Sequence, residues 1–216
     1  MKKIIVFDLD DTLYKEIDFL KSAYREIAAY VERVYNKQDI YEFMMTCYEG
    51  GKNSFECLLN YYSLPIDIEL LLKMYRNHFP DIFLSDDTKF ILQYFVDSGY
   101  ILGLITDGRE QTQLNKITAL NLQQYIPYEN CIISEAFGFS KPSLEAYLFF
   151  QNKYGEGTYS YVGDNVSKDF IAPNRLNWRS FCLKDDGQNI HKQIFVEGFY
   201  KPKYVITSLG SLKDLI

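Results

Sequence analysis

The chain has 216 residues, 47% of them apolar and 17% aromatic, and a formal net charge of −6. This length suits one large domain or a domain with a smaller insertion, and the apolar fraction excludes a disordered chain. The acidic balance argues against sequence-independent binding to nucleic acid or anionic lipid, since both need a basic patch.

No apolar stretch approaches the roughly 20 residues of a membrane span. Asp8 also interrupts the first apolar run too early for a secretory signal. Cys47, Cys57, Cys131 and Cys182 are scattered with no CxxC pair, the pattern of buried thiols in a reducing compartment. A soluble cytoplasmic protein is the default expectation.

The first predicted element is a buried strand, Ile4-Ile5-Val6-Phe7, which stops in Asp8-Leu9-Asp10-Asp11-Thr12. Carboxylates cannot stay unpaired in a core. Their place is therefore the carboxyl end of the strand, where open parallel sheets bind ligands. Asp8 and Asp10, two apart, can share one crevice, and a divalent cation is the usual remedy for their repulsion. Helical periodicity follows, with Phe19, Ala23, Ile27, Tyr30 and Val34 as its apolar stripe. Further helices are predicted over 38–49, 53–63 and 67–79, separated by Gly50-Gly51, Leu64-Pro65 and Pro80.

Strand and helix then alternate: a helix near 87–98 capped at Gly99, a strand Tyr100–Ile105, a helix 109–121, a short strand Cys131–Ile133 and a helix 143–153. A strand Tyr159–Val162, a helix from about Val166, a strand near Ser180–Leu183 and a strand Tyr204–Thr207 complete the pattern. Such alternation implies an α/β fold, a Rossmann-like parallel sheet with helices on both faces. The all-helical block reads as a cap subdomain over 15–85, inserted after the first strand, with residues 1–14 and 86–216 forming the core domain.

Three more clusters fall at strand ends or loops: Thr106-Asp107-Gly108, Lys141-Pro142 and Gly163-Asp164, with Asp169 five residues beyond Asp164. Strand ends of one parallel sheet converge on one edge, so Asp8, Asp10, Thr106, Lys141, Asp164 and Asp169 can meet although they span most of the chain. Several neighbours have plainer roles. Asp11 reads as a solvated or helix-capping acid, Thr12 as a hydrogen-bonding turn residue, and Asp107 as a cap for the helix starting near Arg109. His78 and His191 read as structural or exposed, and Pro173 as the residue that ends or bends its helix.

In order, Asp8-Leu9-Asp10-Asp11-Thr12, Thr106, Lys141-Pro142 and Gly163-Asp164…Asp169 resemble the four motifs of the haloacid dehalogenase (HAD) superfamily. The helical block after the first motif is similar to the cap of its subfamily I members. The resemblance covers the whole chain and implies a phosphoric monoester hydrolase, a Mg²⁺-dependent phosphatase acting on a small phosphorylated metabolite. It implies Asp8 as nucleophile, and Asp8, Asp164 and the Asp10 carbonyl as metal ligands. Asp169 would ligate the metal or orient Lys141.

Asp10 suits the role of acid and base, provided it holds a proton when substrate arrives; nearby carboxylates favour that form, while Mg²⁺ and Lys141 oppose it. The Thr106 hydroxyl and the Asp107 and Gly108 amides would cradle phosphate oxygens, and Lys141 would supply a fixed positive charge. Such a carboxylate nucleophile divides a very slow hydrolysis into two steps.

Three rival functions are set against this one. A haloacid dehalogenase would lack Asp10. A phosphomutase of the same superfamily would use the same residues under a water-excluding cap. A phospho-receiver module, a signalling class, would carry its Lys-Pro last and lack the helical insertion. The substrate is open among a sugar phosphate, a nucleoside monophosphate and phosphoglycolate.

Overall fold

Strand β1 (Lys2–Phe7) is buried along its last four residues, as an apolar run flanked by strands on both sides requires. In the computed structural model, which describes residues 1–216, it lies inside a six-stranded sheet of order β3-β2-β1-β4-β5-β6. The other strands are β2 (Ile101–Thr106), β3 (Cys131–Ile133), β4 (Gly157–Gly163), β5 (Arg179–Leu183) and β6 (Tyr204–Ile206). Every neighbouring pair is parallel. From β1 the chain winds outward to β2 and β3, then crosses back to β4 and winds the other way. The order thus reverses between β1 and β4, and the crevice beyond their carboxyl ends is where such sheets bind ligands.

Helix α1 (Glu16–Tyr35), α2 (Ile40–Glu49), α3 (Ser54–Tyr62) and α4 (Ile68–Asn77) follow β1 without an intervening strand. Then come α5 (Asp86–Asp97), α6 (Glu110–Ala119), α7 (Ser134–Phe137), α8 (Glu145–Tyr154), α9 (Ile171–Arg175) and α10 (Leu212–Leu215). Capping fixes several starts. The Asn53 side chain accepts from the Phe55 and Glu56 amides before α3, and Ser85 accepts from Thr88 before α5.

Strand alternation sorts the core into two layers. Ile5 and Phe7 face α5 and α6 through Ile91, Phe95 and Ile117. Ile4 and Val6 face α8 and the segment after β4 through Tyr147, Phe150 and Phe170. Gly103 in β2 permits that closeness, because a Cβ there would stand 2.3 Å from the Phe150 ring. A third cluster is confined to α1–α4, with Ile27, Val31, Met44, Leu58 and Leu71 at its centre. Phe19, Ile82 and Leu84 belong instead to the sheet's own core, so the foot of α1 packs against the sheet. No helix is long and apolar enough to cross a membrane.

Two local expectations are corrected. Val34 is 50% exposed, and Val31 is the buried end of the α1 stripe, beside Ala28. Phe19, Ala23 and Ile27 are buried as the spacing predicts, and only beyond Ile27 does the inward face move on by one residue, from Tyr30 to Val31. After β4 the chain does not enter a helix at Val166. Asn165–Phe170 is held as a turn, since the Asp169 carboxylate takes the Asp164 and Asn165 amides and the Asn165 side chain takes that of Ser167. Helix α9 begins only at Ile171, so Pro173 falls in its first turn, where a missing N–H removes no helical hydrogen bond.

Candidate active site

Asp8 extends the ladder one residue past β1, donating its amide to the Val162 carbonyl at 2.8 Å. This pins the buried Asp8 carboxylate at the end of the sheet, between β1 and β4. Lys141, from the loop between α7 and α8, reaches it. Its ammonium lies 2.7 Å from Asp8 Oδ1 and 2.8 Å from Asp169 Oδ1, and it donates to the Tyr161 hydroxyl at 3.2 Å. Burial alone would lower the Lys141 pKa, but Asp169 and Asp8 outweigh it and hold the ammonium well above its ordinary range.

Asp107 anchors Lys141 from the backbone side. Its Oδ1 accepts the Lys141 amide at 3.0 Å and its Oδ2 the Lys168 ammonium at 2.9 Å. It is therefore not the cap of α6, whose N-cap is Arg109. Its carboxylate ties together three loops.

Asp164 and Asp169 close the other side. One carboxylate oxygen from each of Asp8, Asp164 and Asp169 lies within 4.8 Å of the others. Asp169 is saturated by donors: Lys141, the Asp164 and Asn165 amides at 3.2 and 2.8 Å, and the Tyr161 hydroxyl at 3.4 Å. Gly163 makes room for it, since a Cβ there would stand 2.5 Å from Asp169 Oδ2.

Asp164 has far less compensation, a single amide from Asn189 at 3.0 Å. Burial, and then the charges of Asp8 and Asp169, push its carboxyl up to about 9. Burial, offset only in part by Lys141, pushes Asp8 up to about 7. Two buried carboxyls short of positive charge, offering hard oxygens, fit a divalent cation such as Mg²⁺.

Asp10 is held differently. Oδ1 accepts the Tyr14 hydroxyl at 2.5 Å and Lys116 at 2.7 Å, and Oδ2 accepts the Gln113 amide at 2.9 Å. Burial would raise this carboxyl, yet Lys116 with Tyr14 and Gln113 overcomes it and holds Asp10 below the ordinary range. Three donors on its two oxygens favour the carboxylate form of Asp10 in this conformation.

The Gln113 amide also reaches Thr106 Oγ1 at 2.5 Å and the Asp107 carbonyl at 3.1 Å. Gly108 donates its amide to Ser134 Oγ at 3.0 Å. Lys116 meanwhile lies 4.4 Å from the centre of the Phe19 ring at the foot of α1.

Other neighbours differ from expectation. Asp11 is buried rather than solvated. It does cap α1, accepting the Glu16 amide at 2.9 Å, and it also accepts that of Ile190 at 2.9 Å. The Thr12 hydroxyl is buried without a hydrogen-bond partner, so only its backbone serves the turn. His78 is structural, packed 4.6 Å from the Phe19 ring centre. His191 is exposed and borders the site.

Between these groups lies a cavity of about 110 Å³ with no apolar side chain in its lining. Asp8, Asp10, Thr106 and Asp164 form its floor, while Glu16, Lys168 and His191 border it as well.

Gln113, Lys116 and Glu16 were not singled out from the sequence. The first two carried a signal, since both occupy the buried phase of α6 with Ile117, where long polar side chains need a partner. Glu16 carried none beyond its place in a first helical turn.

Residues 5–182 match the family described as haloacid dehalogenase-like hydrolase. The chain is 27% identical to a glyceraldehyde 3-phosphate phosphatase of Methanocaldococcus jannaschii, with 100% of this chain and 97% of that protein covered. It is 29% identical to the Pyrococcus abyssi protein of the same name, over 85% and 82% of the two chains. Its fold is similar to that of the HAD-hydrolase YfnB from Bacillus subtilis, solved bound to magnesium (TM-score 0.69, 18% identity, 99% and 98% covered). Motifs, sheet order and family match agree: the chain belongs to the haloacid dehalogenase-like hydrolases.

Proposed function

We propose that the protein is a Mg²⁺-dependent phosphatase that cleaves a small phosphate monoester through an aspartyl-phosphate on Asp8. The observation that carries this reading is the buried Asp8 carboxylate, 2.7 Å from Lys141 and within 4.8 Å of Asp164 and Asp169. We read residues 15–85 as the cap and 1–14 with 86–216 as the core domain.

Asp8 and Asp164, with the Asp10 carbonyl, would hold the metal, which supplies positive charge to the phosphate when bound. Asp169, with all its partners in place, orients Lys141 and the Asp164 loop. An Asp8 oxygen attacks phosphorus, the ester P–O bond breaks, and the leaving oxygen takes a proton from Asp10. Water then attacks the phosphorus of the aspartyl-phosphate and gives its proton to Asp10; Asp8 is regenerated and inorganic phosphate leaves. Lys141 and the Thr106 hydroxyl stabilise the charge on the transferring group. The Lys116 contact at 2.7 Å favours the base form of Asp10, and its loosening would favour the acid form.

A polar cavity of about 110 Å³ suits a short, polar ester rather than a nucleoside. The relatives named glyceraldehyde 3-phosphate phosphatase make a three-carbon aldehyde phosphate the first substrate to try. Purified protein should release inorganic phosphate from glyceraldehyde 3-phosphate with Mg²⁺, stop in EDTA and resume when Mg²⁺ is restored. Undiminished release in EDTA would refute the metal's role.

The same acids predict how metal binding varies with pH. Carboxyls near 4 in the unfolded chain stand at about 7 and about 9 for Asp8 and Asp164 when folded. The metal-free fold therefore holds extra protons across that window. The stability they give is full below about pH 4 and is lost as pH rises through 7 and 9. Mg²⁺ competes for the same oxygens. At 100-fold over Kd it adds about 2.7 kcal/mol, roughly 5–11 °C in Tm for a chain of this size. At one fixed Mg²⁺ concentration the gain should grow from pH 5 to pH 9; scanning calorimetry showing a flat or shrinking gain contradicts the site.

A further inference from the structure

Glu16 is the first residue of α1, and its backbone amide is fixed by Asp11 Oδ1 at 2.9 Å. Its carboxylate faces the same cavity as Asp8 and Asp10. Burial, and then the charge of Asp10, push this carboxyl up to about 8. Glu16 in turn helps burial to raise the phenols of Tyr75 in α4 and Tyr48 in α2. It therefore stands where the helical block meets the reaction centre.

The lysines around the cavity are all engaged. Lys141 lies 2.7 Å from Asp8, Lys116 lies 2.7 Å from Asp10, and Lys168 lies 2.9 Å from Asp107. Glu16 makes no ion pair and accepts no hydrogen bond from the chain at its carboxylate, and the one positive charge that favours its ionised form, Lys116, is already held by Asp10. The remaining basic group, His191, is exposed, where solvent and salt screen it. A phosphate group would use the positive charge at the floor of the site. The rest of the substrate would then meet Glu16 with no lysine left to balance a second anion.

We propose that Glu16 selects the substrate, accepting a hydrogen bond from a hydroxyl of the leaving group and excluding phosphate esters that carry a second anionic group. This rests on the phosphatase reading. The class it admits is short phosphate esters with an uncharged, hydroxylated remainder, such as hydrated aldehydes and polyols. Esters with a carboxylate in that place would be rejected once Glu16 is ionised, above about pH 8, because like charges in a water-poor cavity repel strongly.

The test compares glyceraldehyde 3-phosphate and glycerol 3-phosphate with 2-phosphoglycolate and 3-phosphoglycerate. It uses wild type, Glu16→Gln and Glu16→Ala, all with Mg²⁺ at pH 9, where Glu16 is ionised. Two readouts are taken: kcat/KM for each ester, and calorimetric Kd for each ester in Asp8→Asn backgrounds with the same Glu16 changes.

The expected result is a preference of at least about tenfold for the uncharged pair in both readouts, narrowed about tenfold by either Glu16 variant. Glu16→Gln keeps the shape of the side chain, and a near wild-type Tm shows that it folds. Equal use and equal binding of the two pairs by wild type, or an unchanged ratio in both variants, would overturn the proposal. Absence of phosphate release from all four, with the binding preference and its narrowing intact, would overturn the phosphatase reading and leave the role of Glu16 standing.

Discussion

Asp8→Asn lowers phosphate release by about 10⁴-fold or more, the scale of loss when the nucleophile of a covalent mechanism is removed. An amide of the same shape cannot form the acyl phosphate, so both steps lose their route. The fold should tolerate the change. Lys141 keeps Asp169 at 2.8 Å, and the raised Asp8 carboxyl, whose repulsion with Asp164 burdens the metal-free site, is neutralised. In EDTA the Tm of Asp8→Asn should equal or exceed that of wild type, while phosphate release measured in Mg²⁺ falls to background. Activity within tenfold of wild type would remove Asp8 from the mechanism. A fall of many degrees in Tm would show instead that Asp8 is primarily a partner for Lys141.

Lys141→Met should fail on both counts, stability and rate. The ammonium sits between two buried carboxylates, 2.7 and 2.8 Å away, in a side chain only 1% exposed. Removing one member of a buried charge network strands the others, at a cost of about 3–5 kcal/mol. For this chain that is a drop of roughly 6–20 °C in Tm. The rate should fall by about 10²–10³-fold as well, because a fixed cation is lost where negative charge develops.

Pairing Lys141→Met with Asp169→Asn separates the two effects. The double variant leaves one fewer stranded charge, so it should regain part of the Tm without regaining activity. Recovery of activity in the double variant would mean that Lys141 acts only as a structural partner of Asp169.

Much of this arrangement could be read along the chain because acids that end apolar runs have few places to go. Asp8 follows β1 and Asp164 follows β4, and β1 and β4 are neighbours in register, so their acids converge. The parallel order of the sheet followed from strand–helix alternation alone. Asp107 was harder. A small acid ahead of a helix has the look of a cap, and only folding shows that it serves Lys141 and Lys168 from other loops.

Gln113 and Lys116 lie on α6, where helical spacing says which side is inward but not which distant carboxylate waits there. The ionisation of Asp10 had the same obstacle: it depends on Lys116, 106 residues away in sequence. The late start of α9 was hidden because Asn165 and Asp169 bind nearby backbone amides, a local competition with the helix that apolar periodicity does not register.

The coil after β5 carries one more implication. From Asp185 to Gln193 it has no helix or strand, yet Asn189 holds Asp164, the Ile190 amide holds Asp11, and Asn189 and Asp186 meet Lys15 at 2.9 and 2.8 Å. Most surface loops accept a changed length at little expense. This one is moored to the first fifteen residues and to Asp164, the acid beside Asp8. A residue gained or lost here would shift a wall of the reaction chamber, from a stretch that composition alone would class as spacer.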